Sequence, residues 1–214
     1  MTSVLRPLLS CLAFALVILA GFGFAGFFDD LPRTLFFFSA LAVIFRISIG
    51  HVAMKKGKEQ GEAGSLFVLL ILLTLATGFF IPFFSSRKIT ELNLSPFFRY
   101  LGLFLFHAGM FIRITAVRTL KRQFSIFVAI QENHQLITNG IYSHVRHPIY
   151  LGAFLSLTGF ALVFPTLLGF LFVIIYSMLL GHRMTQEEKL MLKHFGSVYE
   201  EYISKSYRLI PHIY

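Results

Sequence analysis

Long apolar stretches alternate with short polar connections along the whole chain. Four of these stretches run over about 8 to 28, 34 to 50, 66 to 85 and 97 to 117. A helix rises about 1.5 Å per residue and the hydrocarbon core of a bilayer is about 30 Å thick, so each stretch can cross once. The pattern therefore predicts four membrane spans. We interpret the first as a retained span rather than a secretory signal, because its apolar run exceeds the usual signal core.

A fifth apolar stretch, about 149 to 181, is too long for one crossing, since a single helix of this length would measure about 50 Å. Pro165 lies at its middle, and a proline inside a helix removes a backbone donor and clashes with the preceding turn. The stretch therefore predicts two short antiparallel helices that turn near Phe164 to Thr166.

Charge supports this hairpin. The chain has 214 residues, 56% of them hydrophobic, and 19 Lys and Arg against 10 Asp and Glu, for a formal net charge of +9. With the hairpin, 14 of the 19 basic residues fall on one side, which the excess of Lys and Arg in short loops marks as cytosolic. So apolar a composition excludes an ordinary soluble domain, and the basic excess favours anionic lipid over nucleic acid as its partner.

Three isolated signals do not predict a site. Gly21, Gly23 and Gly26 spell G-x-G-x-x-G without the flanking strand or acid of a dinucleotide site, so we interpret them as packing positions inside an apolar helix. His107, in the fourth stretch, is interpreted as a neutral imidazole hydrogen-bonded to a neighbouring helix. Cys11, the single cysteine, can form neither an intrachain disulfide nor a structural zinc site.

A polar segment leads into the fifth stretch. It reads R-Q-F-S from 122, H-Q-L-I-T-N-G-I-Y from 134 and R-H-P-I-Y from 146. Pro148 suits the first position of a helix, where its missing N–H is harmless, and the amides beyond it would turn the positive end of the helix dipole towards an anionic group. His147 and Tyr150 would share one face of this helix.

A second polar segment follows the fifth stretch. It reads R-M-T-Q-E-E from 183, then F-G at 195, Tyr199, Tyr202 and R-L-I-P from 208. On a helix that continues past the span, Arg183 and Glu187 lie four residues apart and face the same way. Alone, this spacing is typical of an ordinary ion pair on a solvated face.

Together and in this order, the motifs of residues 122 to 213 resemble the isoprenylcysteine carboxyl methyltransferases and related membrane methyltransferases, which include phospholipid methyltransferases. The resemblance implies transfer of a methyl group from S-adenosylmethionine, with S-adenosylhomocysteine as product, and gives Arg183 the substrate carboxylate. Its implied cofactor contacts are His134, Leu136, Ile137, Tyr142, His147, Pro148, Ile149, Tyr150 and Glu187. Phe127 stands where eukaryotic members have a glutamine, and Gln131 is the alternative in this chain.

We therefore expect an all-α, polytopic membrane helical bundle with four spans, a C-terminal helical hairpin and a cytosolic C-terminal helix. Residues 1–117 would form the membrane helices, and 118–214 a catalytic region with a cofactor-binding loop, the hairpin and a cytosolic cap. The active site would face the cytosol, in the inner membrane of a bacterium or the endoplasmic reticulum of a eukaryote. A lipophilic substrate would enter from the bilayer, and we predict no metal, nucleic acid or obligate protein partner.

The acceptor is less defined than the reaction class. A carboxylate is favoured because it is already ionised at neutral pH and needs no general base, whereas a thiol or amine would need one. Three alternatives stay open at this point: a phospholipid N-methyltransferase or small-thiol S-methyltransferase of the same build, an NADPH-dependent membrane reductase, and an adaptor protein with a dead site.

Overall fold

A computed structural model describes residues 2–24, 26–49, 59–60, 64–123, 129–130 and 135–211. In these residues, seven α-helices carry almost all of the regular structure, which confirms the all-helical class. They are α1 (Thr2–Phe22), α2 (Leu31–Ile49), α3 (Gly64–Ser86), α4 (Pro96–Leu120), α5 (Pro148–Val163), α6 (Leu167–Phe195) and α7 (Ser197–Lys205). Two two-residue strands, β1 (Glu59–Gln60) and β2 (Ala129–Ile130), pair antiparallel, and 3-10 turns lie at Phe27–Asp29, Lys121–Gln123 and Gly140–Ser143.

Apolar side chains cover the outside of the helical bundle. Among the described residues, α4 and α6 are long and apolar enough to cross a bilayer, and the shorter apolar stretches are Pro7–Phe22, Leu31–Phe45, Leu72–Ser86 and Pro148–Val163. Leu16, Phe104 and Phe111 are 60%, 68% and 72% exposed. Apolar surface on this scale is unusual for a protein in water and suits contact with lipid tails.

Glycines allow α4 and α5 to approach each other closely. A Cβ added to Gly109 would lie 2.5 Å from the Gly152 carbonyl oxygen, and one added to Gly102 would lie 2.7 Å from that of Gly159. Ser156 Oγ donates to the Phe106 carbonyl across the same interface, at 3.2 Å. Small residues allow this approach, and the gain for membrane helices is dispersion between backbones. The pair fixes where α5 begins, and thus where the polar segment lies.

Aromatic side chains fill the half of the bundle that lies beside the turn between α5 and α6. Phe36 of α2 packs against Phe106 of α4 and Phe164 after α5, with ring centroids 4.8 and 5.7 Å apart in T-shaped geometry. Phe27, which is fully buried, adds the connection between α1 and α2. Edge-to-face packing is the favoured arrangement of such rings, so this cluster ties α1 and α2 to α4 and α5.

The break at Pro165 is confirmed, because α5 ends at Val163 and α6 begins at Leu167. Thr166 caps α6 by accepting a hydrogen bond from the Gly169 N–H at 3.0 Å. The two helices run antiparallel, since Ala153 of α5 packs against Leu180 of α6. The second helix is longer than its apolar half: α6 has 29 residues and continues without interruption through the polar segment, as the placement of Arg183 and Glu187 on one helix requires.

Two smaller interpretations need correction. Gly21 does pack against the backbone of α3 at Phe79, but Gly23 and Gly26 lie beyond the end of α1 with φ of +94° and +75°. They are turn residues rather than packing positions, because a positive φ strains any residue with a Cβ. His107 Nδ1 lies 2.7 Å from the Leu103 carbonyl of its own helix, so its partner is one turn away rather than on a neighbouring helix.

Candidate active site at the junction of α5 and α6

Three side chains of the two polar segments meet where α5 begins. The Tyr150 hydroxyl donates to Glu187 Oε1 and accepts from Arg183 Nε at 2.8 Å. Arg183 Nε also lies 3.4 Å from Glu187 Oε1, which is the i,i+4 contact that the spacing predicts. The meeting of the two segments, on which the sequence hypothesis depends, is therefore present in the structure.

Arg183 is held inside the protein. It is 5% exposed, and its guanidinium carbon lies 5.9 Å from the centre of the Tyr150 ring. A buried cation is stable only when charged or polar partners replace its water, and Tyr150 and Glu187 supply them. The pair also fixes the orientation of the guanidinium, whose fork geometry suits a carboxylate.

His147 precedes α5 and lies between two adjacent glutamates of α6. Its Nδ1 is 3.7 Å from Glu187 Oε2 and its Nε2 is 3.0 Å from Glu188 Oε1. The imidazole stacks on the Tyr150 ring, with centroids 5.6 Å apart and planes 25° from parallel. Pro148 is the first residue of α5, as predicted, so the chain turns directly from the histidine into the helix.

Tyr142, in the loop before α5, lies within the electrostatic influence of Glu187. It is buried in the Gly140–Ser143 turn, which Gly140 enters with φ of +60°, and its carbonyl accepts from the Tyr202 hydroxyl of α7 at 2.6 Å. Burial, and then the neighbouring charge of Glu187, raise the pKa of Tyr142 well above its ordinary value. Burial raises the pKa of Tyr202 to about 12. Both phenols are therefore neutral hydrogen-bond donors at physiological pH.

The structure brings five of the ten residues that the resemblance assigned into one cluster, namely Tyr142, His147, Tyr150, Arg183 and Glu187. Pro148 and Ile149 form the first turn of α5 beside it, and Leu136 and Ile137 are partly buried in the irregular segment 135–138. His134 lies outside the described residues, as do Phe127 and Gln131. The proposed roles of all ten residues stay predictions.

Sequence reasoning missed one functional candidate, Glu188, and gave no role to its partners. Glu188 Oε1 lies 3.3 Å from Arg146 Nε, and its Oε2 lies 3.0 Å from Arg208 Nη2. A signal was available in the sequence, since these residues belong to the R-H-P, E-E and R-L-I-P motifs. The ion pairs themselves could not be predicted, because the two arginines lie 20 and 42 residues away from Glu188 along the chain.

A helical bundle with an apolar exterior is typical of an integral membrane protein, and the polar cluster lies at one end of this bundle. Residues 100–193 match the isoprenylcysteine carboxyl methyltransferase (ICMT) family. The match begins within α4, earlier than the motifs from 122 onward, and ends before the R-L-I-P motif.

Individual relatives agree with this match. The chain is 37% identical over 110 residues to the protein-S-isoprenylcysteine O-methyltransferase of Schizosaccharomyces pombe, which is 48% of this chain and 45% of that protein. It is 32% identical over 142 residues to a probable protein-S-isoprenylcysteine O-methyltransferase of Oryza sativa subsp. indica, which is 62% of this chain and 74% of that protein. The matched segment is thus less than half of the yeast protein and about three quarters of the rice protein.

The fold agrees as well. A solved structure of the eukaryotic intramembrane Ras methyltransferase ICMT matches with a TM-score of 0.58, covering 94% of this chain and 74% of that one at 21% identity. The chain belongs to the isoprenylcysteine carboxyl methyltransferase family, whose members are membrane methyltransferases. A shorter match, 34% identical over 83 residues, covers 20% of the delta(14)-sterol reductase TM7SF2 of Mus musculus.

Proposed function

We propose that this protein transfers a methyl group from S-adenosylmethionine to the carboxylate of a lipophilic, isoprenylcysteine-like acceptor. The observation that carries the proposal is the contact among Tyr150, Arg183 and Glu187, which joins the two motif segments of the family into one site. The protein-S-isoprenylcysteine O-methyltransferases among its relatives support this choice of acceptor.

The side chains present fit the cofactor. S-adenosylmethionine carries an ammonium group, a carboxylate, ribose hydroxyls and an adenine ring, and therefore needs an acid, hydrogen-bond donors and aromatic walls. The Glu187 side chain is 24% exposed and accepts hydrogen bonds, so it suits the ammonium or the ribose. Tyr142 and Tyr150 supply rings and neutral hydroxyls, and the first turn of α5 presents the positive end of a helix dipole to an anion.

The chemistry fits an ionised acceptor. When bound, S-adenosylmethionine supplies an electrophilic methyl group, which an ionised carboxylate accepts without loss of a proton. An α-carboxyl with a pKa of about 3.5 is ionised at neutral pH, so the site needs no general base. Its task is to hold the acceptor in line, and positioning of this kind supplies about 7 to 11 kcal/mol of a barrier. Arg183, with its orientation fixed by Tyr150 and Glu187, is our candidate for the group that orients the acceptor carboxylate.

The same proposal includes the arrangement in the membrane. Residues 1–117 form four membrane spans, the last of which belongs to a helix, α4, that continues to Leu120, and residues 118–214 form the catalytic region with α5 and α6 as a hairpin. The site faces the cytosol, where the cofactor enters, and the lipid acceptor arrives laterally from the bilayer. A prenyl chain gains about 0.8 kcal/mol for each buried CH₂, which keeps such an acceptor in the membrane.

Calorimetry with S-adenosylhomocysteine tests the cofactor assignment. We expect binding by the wild-type protein, its loss in Glu187→Ala, and wild-type binding in the matched control Glu201→Ala, because the Glu201 side chain is exposed on α7 and pairs with Lys205. Wild-type affinity in Glu187→Ala would contradict the assignment.

Product analysis tests the acceptor. With a farnesylated cysteine analogue and a labelled methyl donor, we expect a methyl group that mild base releases as methanol. A label that survives base would instead indicate transfer to nitrogen or sulfur. The similarity to a sterol reductase makes NADPH binding the second arm of this experiment, and binding of NADPH without S-adenosylhomocysteine would favour a reductase.

A further inference from the structure

Glu188 has a different environment from its neighbour Glu187. Glu187 faces Tyr150 and Arg183, whereas both oxygens of Glu188 are engaged by other groups: Oε1 by Arg146 Nε and His147 Nε2, and Oε2 by Arg208 Nη2. The side chains of Arg146, Glu188 and Arg208 are 10%, 16% and 18% exposed. A carboxylate with all these partners has little capacity left for a ligand, so its role is to hold other groups.

The groups held by Glu188 come from three separate parts of the chain. Arg146 and His147 precede α5, Glu188 itself is on α6, and Arg208 follows α7. Arg146 Nη1 also donates to the Ile203 carbonyl at 3.0 Å and to the Ser206 carbonyl, where α7 ends. Arg208 Nη2 donates to Thr185 Oγ1 of α6 at 2.8 Å. One carboxylate thus connects the start of α5, the end of α6 and the chain after α7.

Backbone hydrogen bonds continue this connection. We call residues 206–208 the C-terminal strap. The Arg146 N–H donates to the Tyr207 carbonyl at 2.8 Å, the His147 N–H to the Arg208 carbonyl at 3.2 Å, and the Tyr207 N–H to the His144 carbonyl at 2.8 Å. The strap therefore pairs with the residues that carry His147, directly before the first turn of α5.

We propose that Glu188 is a positioning residue, which holds the C-terminal strap and the His147 imidazole in the geometry that cofactor binding requires. This inference rests on the proposed function and deepens it, because it assigns the two adjacent glutamates different tasks. Glu187 contacts the cofactor, and Glu188 acts through His147 and the strap. Without the Glu188 charge, Arg146 and Arg208 keep partly buried guanidinium groups without their carboxylate, and the strap loses its ion pair with α6.

The test compares three variants for binding of S-adenosylhomocysteine: Glu188→Gln, Arg208→Gln and the double variant. Each single change should weaken binding about tenfold, since leaving buried hydrogen-bonding groups unsatisfied costs enough for a factor of this size. The double variant should also lose about tenfold rather than a hundredfold, because both changes remove the same contact. The KM for the methyl acceptor should change less than the cofactor affinity. Glu201→Gln, which breaks an exposed ion pair of α7, is the matched control and should bind like wild type.

Hydrogen exchange supplies a second readout. In Glu188→Gln, the amides of Arg146, His147 and Tyr207 should exchange faster, while those of α4 keep wild-type protection. If Glu188→Gln does not fold, Arg208→Gln tests the same contact from the other side.

A purely structural role would lower the melting temperature without changing cofactor affinity, and that result would overturn the proposal. Additive losses in the double variant would overturn it as well. Failure of the proposed function is distinguishable, since the wild-type protein would then bind no S-adenosylhomocysteine at all, and both proposals would be rejected together.

Discussion

At the scale of single residues, the Tyr150 hydroxyl is the group that links α5 to both charged side chains of α6. Tyr150→Phe removes this hydroxyl and leaves the ring, so Glu187 loses a donor and Arg183 loses an acceptor. We expect S-adenosylhomocysteine binding about threefold to tenfold weaker, the usual effect of a lost hydrogen bond between partly buried groups. Calorimetry measures it. Tyr100→Phe is the control, because Tyr100 is 44% exposed on the outer face of α4, and equal affinities in the two variants would remove Tyr150 from the site.

Arg183 should affect turnover rather than cofactor affinity. In Arg183→Ala, Glu187 keeps Tyr150 as a donor, so we expect the Kd for S-adenosylhomocysteine to stay near the wild-type value. We expect kcat/KM with a farnesylated cysteine analogue to fall about a hundredfold, the size of loss typical when a group that stabilises the reacting charge is removed. Arg183→Lys should be intermediate, because lysine keeps the charge without the fork. An equal loss of cofactor affinity in Arg183→Ala and Glu187→Ala would contradict this division of roles.

The sequence could predict local contacts of this site better than distant ones. Arg183 and Glu187 are four residues apart on one helix, so periodicity alone predicts their 3.4 Å contact. Family motifs indicated that Tyr150 lies with them. The partners of Glu188 could not be predicted, since Arg146 and Arg208 reach it only after α5, α6 and α7 have packed, and periodicity contains no information about that packing.

At the scale of elements, the α4–α5 interface depends on glycine. A Cβ at position 109 would lie 2.5 Å from the Gly152 carbonyl oxygen and from Ser156 Oγ, and backbone cannot yield cheaply. Gly109→Ala should therefore destabilise the protein by about 1 to 3 kcal/mol, the usual cost of overpacking. Thermal unfolding in detergent measures it as a drop of several degrees in Tm.

Gly181 of α6 is the matched control for Gly109. A Cβ at this position would meet nothing within 4 Å among the described residues. Gly181→Ala should leave stability unchanged or raise it by about 0.5 to 1 kcal/mol, because alanine restricts the unfolded chain and favours helix. A similar loss of Tm in both variants would show that the α4–α5 contact is not the cause.

Element boundaries were predictable where one residue determines them. Pro165 placed the break between α5 and α6, and Pro148 placed the start of α5. The end of α6 was not predictable, because the hydropathy falls near residue 181 while the backbone stays helical to Phe195. The residues in between are mostly Met, Gln, Glu, Lys and Leu, which favour helix in any solvent. Hydropathy therefore indicates which part of the helix lies in the membrane, and it does not indicate where the helix ends.

At the scale of the whole molecule, the two ends of the bundle differ in chemistry. The site end contains the Glu188 network and the C-terminal strap. At the opposite end, Asp30 before α2 pairs with Arg99 of α4 and lies 3.5 Å from Arg33. The α3–α4 connection meets the α5–α6 turn there, since the Leu92 N–H donates to the Pro165 carbonyl at 2.9 Å. An apolar surface separates these polar ends, which suits a bilayer between them.

This arrangement predicts that residues at the two ends are accessible from opposite sides of a membrane. Because Cys11 is the single cysteine, a Cys11→Ser background allows one new cysteine at a time. Asn93→Cys lies in the α3–α4 connection and Ser204→Cys on α7, both at exposed positions. With a membrane-impermeant maleimide and sealed vesicles of either orientation, we expect Ser204→Cys to react only from the cytosolic side and Asn93→Cys only from the other. Detergent should make both react, which controls for burial. If instead both cysteines react from the side opposite the basic connections, α5 and α6 do not cross as a hairpin, because a single crossing would place Ser204 on the same side as Asn93.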